Sequence, residues 1–229
     1  MSLSRRAFLL AVPVGVAGCA TNSPPAPPTP IVATPPQRFP TPAPEVKALY
    51  EGMKDGDWEL PAVDLTLVDP RYLRQKVTYS SPYPVGTIVV DTPQHFLYLV
   101  QENETALRYG IGVGREGFAW SGEAQIARKA AWPFWYPPVE MQARDEKARR
   151  WAGGMPGGLD NPLGARALYL YQDGRDTLYR IHGTAEARTI GRNVSSGCIR
   201  MINHDVIDLS ARVPVGTNVV VLEVQTGES

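Results

Sequence analysis

Two side chains in this sequence offer chemistry that the rest of its composition withholds. Cys198 is one of two cysteines and His182 is one of three histidines. They stand in Ile181-His182-Gly183-Thr184, followed after ten further residues by Ser195-Ser196-Gly197-Cys198-Ile199-Arg200-Met201. A free thiol, with a pKa of ~8.5, is only a few per cent thiolate at neutral pH, so a nucleophilic cysteine needs a base. His182 closes an apolar run and precedes Gly183, which lets its ring be held at a strand end. Gly197 removes bulk beside the sulfur and permits an unusual turn. Such a turn aims successive backbone N–H groups at one point, as an oxyanion hole requires. Arg200 brings a fixed charge two residues on, suited to favouring a thiolate or to gripping a carboxylate through two bonds. A plainer reading stands beside this one. Cysteine is among the most buried residue types and is then inert, and a histidine at a strand end is often a hydrogen-bonded packing residue. Spacing alone leaves both open.

Other candidates are weaker. His95 opens an apolar run and reads as packing or surface, and His204 reads as a surface residue at a helix start. Three histidines without ligand spacing argue against zinc. Gly112-Val113-Gly114-Arg115-Glu116-Gly117 lacks the Lys-Ser/Thr step of a phosphate loop. No metal and no cofactor are therefore expected. Trp120, Trp132, Trp135 and Tyr136 read as core or cleft wall.

The elements that must position the thiol and the imidazole are short strands. Gly86 to Asp91, His95 to Val100 and Ala106 to Val113 are β-branched and aromatic runs with turn residues between them. Leu168 to Tyr171 and Leu178 to Ile181 flank Gln172-Asp173-Gly174-Arg175 as a hairpin, and Val219 to Val224 is a closing strand. Helical spacing is read over Glu45 to Lys54, with Gly56 as the stop. An exposed helix is read over Glu140 to Trp151, and a helix capped by Asn203 runs to Arg212. Residues 57–84 read as irregular.

Before the strands lie an address and a spacer. Arg5 and Arg6 precede a short apolar run from Ala7 to Gly18, the pattern of a secretory signal. Ser4-Arg5-Arg6-Ala7-Phe8-Leu9 resembles a twin-arginine signal, although Sec export also accepts paired arginines. Val16-Ala17-Gly18-Cys19 resembles a lipobox, which makes Cys19 a lipidation site. Residues 20–44 hold ten of the 22 prolines and one charge, Arg38. Such a segment cannot bury a core and extends up to ~75 Å as polyproline II. The chain as a whole is 43% hydrophobic and 20% charged, which suits one folded domain. Twenty-three basic residues balance 23 acidic ones, which excludes the charge footprint of a general nucleic-acid binder. No apolar stretch reaches the ~18 residues of a membrane-spanning helix.

His182-Gly183 with Ser195-Ser196-Gly197-Cys198-Ile199-Arg200-Met201 resembles the signature of the L,D-transpeptidases, the YkuD-type catalytic domain. Val89-Val90-Asp91, Gly112-Val113-Gly114, Pro133 to Pro138 and Asn161-Pro162-Leu163-Gly164 look like further stations of that domain, in order. The resemblance implies a mainly β fold, an L,D-transpeptidase-like β-sandwich with a few short helices. The leader and spacer read as a signal over 1–18 and a lipidated Pro-rich linker over 19–44, followed by an N-terminal extension over 45–84; the resemblance implies a catalytic domain over 85–224, which leaves a tail over 225–229. It implies Cys198 as nucleophile and His182 as base. It also implies backbone N–H groups of Ser196, Gly197 and Cys198 as the oxyanion hole, and Arg200, Gly183 and Ser195 at the substrate. The partners implied are peptidoglycan stem peptides, donor and acceptor, and a membrane reached through Cys19. The place implied is the periplasmic side of a cell envelope. Ala20-Thr21 after Cys19 lacks a retention Asp, which favours the outer membrane. The same chemistry would serve attachment of a lipoprotein or another outer-membrane protein to the wall, or hydrolysis. A non-catalytic peptidoglycan-binding lipoprotein and a sortase-like acyltransferase are the competing classes. The segment Phe118-Ala119-Trp120-Ser121-Gly122-Glu123 departs from the Thr-Pro-x-Gly of many relatives.

Overall fold

A computed structural model describes residues 38–114, 120–194 and 198–223. The leader, Cys19, the spacer up to residue 37, Phe118, Ala119, Ser195, Ser196, Gly197 and the tail from residue 224 lie outside the described residues. Thirteen strands are described, namely β1 (Met53–Asp55), β2 (Trp58–Leu60), β3 (Gln75–Thr78), β4 (Ile88–Asp91), β5 (Phe96–Gln101), β6 (Thr105–Gly110), β7 (Gly112–Gly114), β8 (Gly122–Ala131), β9 (Arg166–Gln172), β10 (Arg175–Thr184), β11 (Asn193–Val194), β12 (Ile199–Ile202) and β13 (Asn218–Val221). The helices are α1 (Pro44–Ala48), α2 (Val139–Arg144), α3 (Glu146–Arg150) and α4 (Asn203–Arg212).

Strands β1 and β2 form a hairpin, and the other eleven form one sheet in the order β11-β7-β12-β10-β9-β8-β13-β4-β5-β6-β3. Sheets of more than ~10 strands curl or split into packed layers, and here the chain itself enforces it. Residues 105–114 run almost without interruption from β6, near one end of the order, into β7, near the other. The two ends must therefore meet, and β12 lies against β6. The core between the layers takes Ile88, Leu97 and Tyr109 from one half and Leu168, Ile181, Ile199 and Met201 from the other, with Val206 and Leu209 of α4. The fold is mainly β with a few short helices.

The turns follow their residues. Asp173 and Gly174 both have positive φ, 50° and 75°, and join β9 to β10 in the two-residue hairpin geometry that favours Asp-Gly. Several expectations are corrected. The helix expected over 45–54 stops at Ala48 because β1 claims Met53, and of the spaced apolar residues Val46, Leu49, Tyr50 and Met53, Tyr50 alone is buried. Gly56, expected to stop that helix, lies at φ 64° in the turn between β1 and β2. Residues 57–84 are not irregular throughout, since β2 and β3 form there and β3 pairs with β6. The helix expected over 140–151 is two, broken where the Asp145 carboxylate caps the second by accepting from the Lys147 and Ala148 N–H groups. Strand β8 was not signalled by its charged and small residues. It forms because β9 and β13 both pair with it.

The extension is bound to the sheet at three places. Tyr50, Leu65, Val68, Tyr72 and Leu73 pack with Ile190 and Ile202 in a second apolar cluster. At roughly 1.5–3 kcal/mol per fully buried large apolar side chain, that cluster is a substantial part of the fold's stability. Asp55 accepts two bonds from Arg166, at 2.6 and 2.7 Å, and one from the Trp132 indole at 2.8 Å. Arg74 pairs with Asp208 at 2.6 Å and lies 3.8 Å from the fully buried Asp205, whose other oxygen takes the Tyr50 hydroxyl at 3.2 Å.

Arg74 makes its shorter contact to Asp208, so burial dominates at Asp205 and lifts its pKa to about 7. A carboxyl raised in the folded state stabilises below its unfolded pKa, and that stability is lost as pH rises through the folded value. Asp205→Asn is expected to stabilise the protein by on the order of 2 kcal/mol at pH ~8 and by little at pH ~4. Calorimetric melting at the two pH values checks this, and an equal shift at both would sink it.

Candidate active site

The elements that carry the two candidate residues are neighbours. Strands β10 and β12 pair in parallel, with Ile181 opposite Ile199 and His182 opposite Arg200. Ile181, Ile199 and Met201 point into the core, so the pleat sends His182 and Arg200 to the other face. Cys198 immediately precedes β12, and its carbonyl accepts from the Gly114 N–H at 3.2 Å. Alternation along β12 places Cys198 on the face of Arg200, and the register continued by one residue brings it level with Arg180. Cys198 is partly exposed and is not in a disulfide. The structure thus brings His182, Gly183 and Arg200 together on two paired strands, with Cys198 at the residue that leads into β12. Ser195, Ser196 and Gly197 lie outside the described residues.

His182 is buried, 3% exposed. Its Nδ1 lies 2.7 Å from the Gly183 carbonyl oxygen. A carbonyl only accepts, so Nδ1 carries the proton and Nε2 keeps its lone pair. Burial first, and then the positive charges of Arg200 and Arg180, lower the His182 pKa to about 4 despite that bond. The ring is neutral at pH 7 and able to accept a proton at Nε2. Arg200 itself is mostly buried, with Glu186 at 4.0 Å.

Two glycines and two asparagines explain the local backbone. The Gly183 N–H donates to the Leu163 carbonyl at 3.1 Å. A Cβ at Gly183 would run into Asn203 Oδ1 and come within 3.1 Å of Val206. Gly164, at φ 60°, is closed in by the same Asn203 oxygen and by the Gly183 backbone. Asn203 was expected to cap α4. It is the helix's first residue, and its side chain accepts from the Ala165 N–H at 2.9 Å. Asn161 is buried, and its amide donates to the Pro133, Met155 and Pro156 carbonyls at 2.9–3.2 Å while its oxygen accepts from Leu163 N–H. The segment that leaves the sheet at Trp132 and returns at Ala165 is thereby tied to the residue after His182. Gly183→Ala is expected to cost about 1–3 kcal/mol from overpacking and to displace His182. Urea unfolding beside a turnover assay checks both, and unchanged values in the two would refute it.

The remaining candidates fall elsewhere. His95 Nε2 bonds Asn193 Oδ1 at 2.8 Å, and its ring meets Tyr72 edge-on. His204 is at a helix start as expected but is buried, with Nε2 taking the Glu51 carbonyl at 2.8 Å. Gly112–Gly114 is strand β7, paired with both β11 and β12, and a Cβ at Gly112 would press on the Thr189 carbonyl. That is a packing role for Gly112, and Arg115-Glu116-Gly117 lie outside the described residues. Trp120 stacks on Tyr179, while Phe134 and Tyr136 are exposed. Sequence reasoning missed Asn161, Asn203 and Asp55 as supports of the site. Asn161 lies in Asn161-Pro162-Leu163-Gly164, and nothing in that motif marks its amide as a support.

Residues 86–221 match the YkuD family, the L,D-transpeptidase catalytic domain. The chain belongs to the L,D-transpeptidase family. It is 36% identical over 139 residues to the probable L,D-transpeptidase YbiS of Escherichia coli, a match covering 58% of this chain and 43% of that one. It is 34% identical over 167 residues to the probable L,D-transpeptidase ErfK/SrfK of Salmonella typhimurium, covering 72% of this chain and 51% of that one. The chain thus spans about half the length of these L,D-transpeptidase relatives. A crystal structure from Brucella melitensis, called a probable carnitine operon oxidoreductase caia, is 50% identical, covering 69% of this chain and 99% of that one, with a TM-score of 0.48. A superposition that loose supports no conclusion about activity.

Proposed function

We propose that this chain is a peptidoglycan L,D-transpeptidase acting through a Cys198 thioester. Its support is the parallel pairing of β10 and β12, which sets on the face that carries the thiol a neutral imidazole whose Nε2 keeps its lone pair. The Cys198 sulfur attacks the carbonyl at the L-centre of diaminopimelate in a tetrapeptide stem. His182 takes the thiol proton at Nε2 and passes it to the nitrogen of the leaving D-alanine. Ser196, Gly197 and Cys198 offer backbone N–H groups to the oxyanion. Arg200 orients substrate, with Ser195 and Gly183 beside it. An amine of a second stem then attacks the thioester, gives its proton back through His182, and leaves a 3→3 cross-link with a free thiol. The signal of residues 1–18 exports the chain, Cys19 carries lipid at the outer membrane, and the Pro-rich residues from 20 up to the folded extension form the stalk to the wall. Residues 85–224 are the catalytic domain.

The test is mass spectrometry of the full chain with purified disaccharide-tetrapeptide. The expected results are a thioester adduct mapped to Cys198 and a dimer one D-alanine lighter than two monomers. Adduct and D-alanine without dimer would point to water or a protein amine as acceptor. Neither adduct nor product, with the stem still bound, would put a non-catalytic peptidoglycan-binding lipoprotein in its place.

A further inference from the structure

The face that carries His182 also carries a second row of side chains. Arg180 on β10 stands opposite Tyr169 on β9, and Tyr169 stands opposite Arg128 on β8. Both guanidinium groups lie against the Tyr169 ring, with Arg128 at 3.5 Å and Arg180 at 4.6 Å from its centre. Register irregularities on both flanking strands create this row. On β8, Ala127 is an extra residue between Ile126 and Arg128. On β10 the register shifts between Asp176 and Arg180, and Leu178 takes a left-handed φ of 64°. Bulges beside a site re-aim side chains, and a left-handed leucine is uncommon. Asp176 holds that bulge by accepting from the Leu178 N–H at 2.9 Å.

The two cations differ. Arg180 is satisfied by Asp176 through bonds of 2.7 and 2.8 Å. Arg128 is exposed, and among the described residues it has no carboxylate partner. Lying flat on a ring keeps the guanidinium's in-plane N–H donors free for a planar anion. Cys198, level with Arg180, is in this same row. The Arg128 guanidinium sits over the β9 side chain, two strand spacings from β12, or about 10 Å. Seven bonds of extended chain reach roughly 8 Å, and a hydrogen bond at the end closes the remainder. In a peptidoglycan stem, the residue before diaminopimelate is a γ-linked glutamyl unit with a free α-carboxylate in that range.

We infer that Arg128, stacked on Tyr169, grips the glutamyl carboxylate of the donor stem and so sets which stems reach Cys198. This rests on the transpeptidase reading and adds a specificity residue to it. Arg128 acts as a positioning residue and touches no reacting atom.

The test compares acylation of Cys198 in the full chain by two synthetic tetrapeptide stems, one with the glutamyl α-carboxylate free and one with it amidated. The wild type is expected to lose about 10–100-fold in kcat/KM on amidation, the range for a lost charge-assisted bond. Arg128→Gln should lose a similar factor with the free acid and discriminate little between the two stems. Arg128→Lys, which keeps the charge without the flat fork, should restore part of the discrimination. Arg128 is exposed, so these variants leave the fold intact, and melting curves verify that. Equal acylation of the wild type by both stems, or full discrimination by Arg128→Gln, would overturn this inference alone. No acylation of the wild type by either stem would overturn the transpeptidase reading itself.

Discussion

Alanine in place of Cys198 is expected to abolish D-alanine release and cross-linking, a loss of ~10⁴-fold or more. Cys198 is the sole cysteine outside the leader region, so no neighbouring thiol can substitute. The substitution removes a partly exposed sulfur at the start of β12 and leaves the core residues Ile199 and Met201 in place. Stability and stem binding should therefore survive. Affinity for the stem, measured by calorimetry on the variant, separates a lost nucleophile from a lost site. Residual turnover within tenfold of wild type would mean that the acyl group is carried elsewhere, or that none forms.

His182→Ala is expected to lower turnover by about 100-fold or more, the usual size of a general-base contribution. The pH profile carries the finer information. A base works in its neutral form, and burial together with Arg200 and Arg180 sets its pKa at about 4 in place of the ordinary 6.5. The acid limb of kcat/KM should therefore fall through about 4, with activity level down to pH ~5. A limb near 6.5 would contradict the buried, carbonyl-bonded ring. Stability should respond at the same residue. A histidine whose folded pKa is depressed leaves the unfolded chain to bind the proton first, so its contribution is lost as pH falls from 6.5 toward 4. His182→Ala should flatten that part of the stability curve, whereas Asp205 acts in the opposite sense over much of the same range.

What could be read from the residues, and what could not, divides along physical lines. The strands with β-branched runs, the Asp173-Gly174 hairpin and the helix after Asn203 were legible, because alternation and turn chemistry are local. Strand β8 was not, because GEAQIARKAA owes its extended form to the partners on either side. The helix over Glu45 to Lys54 was over-read, because a hairpin formed by later residues competes for Met53. At the site, the thiol, the imidazole and Arg200 could be named from types and spacing. Their supports could not. The Asn203 amide reaches 38 residues back to Ala165, and Asp55 reaches 111 residues forward to Arg166. The Arg128–Tyr169–Arg180 row depends on two register irregularities, which leave no mark on a sequence.

The Asp55 contact changes what counts as a transferable unit in this protein. One carboxylate holds Trp132, where the segment beside the site departs from the sheet, and Arg166, where it comes back. Family likeness begins at residue 86, and a fragment cut there would keep both reactive residues. It would also release both ends of that segment at once, uncover the β6 edge for pairing with other chains, and strip the second apolar cluster from Ile202 at the end of β12. Fusions, swaps and minimal fragments built from this chain must therefore carry the extension as part of the catalytic body, starting ahead of Pro44.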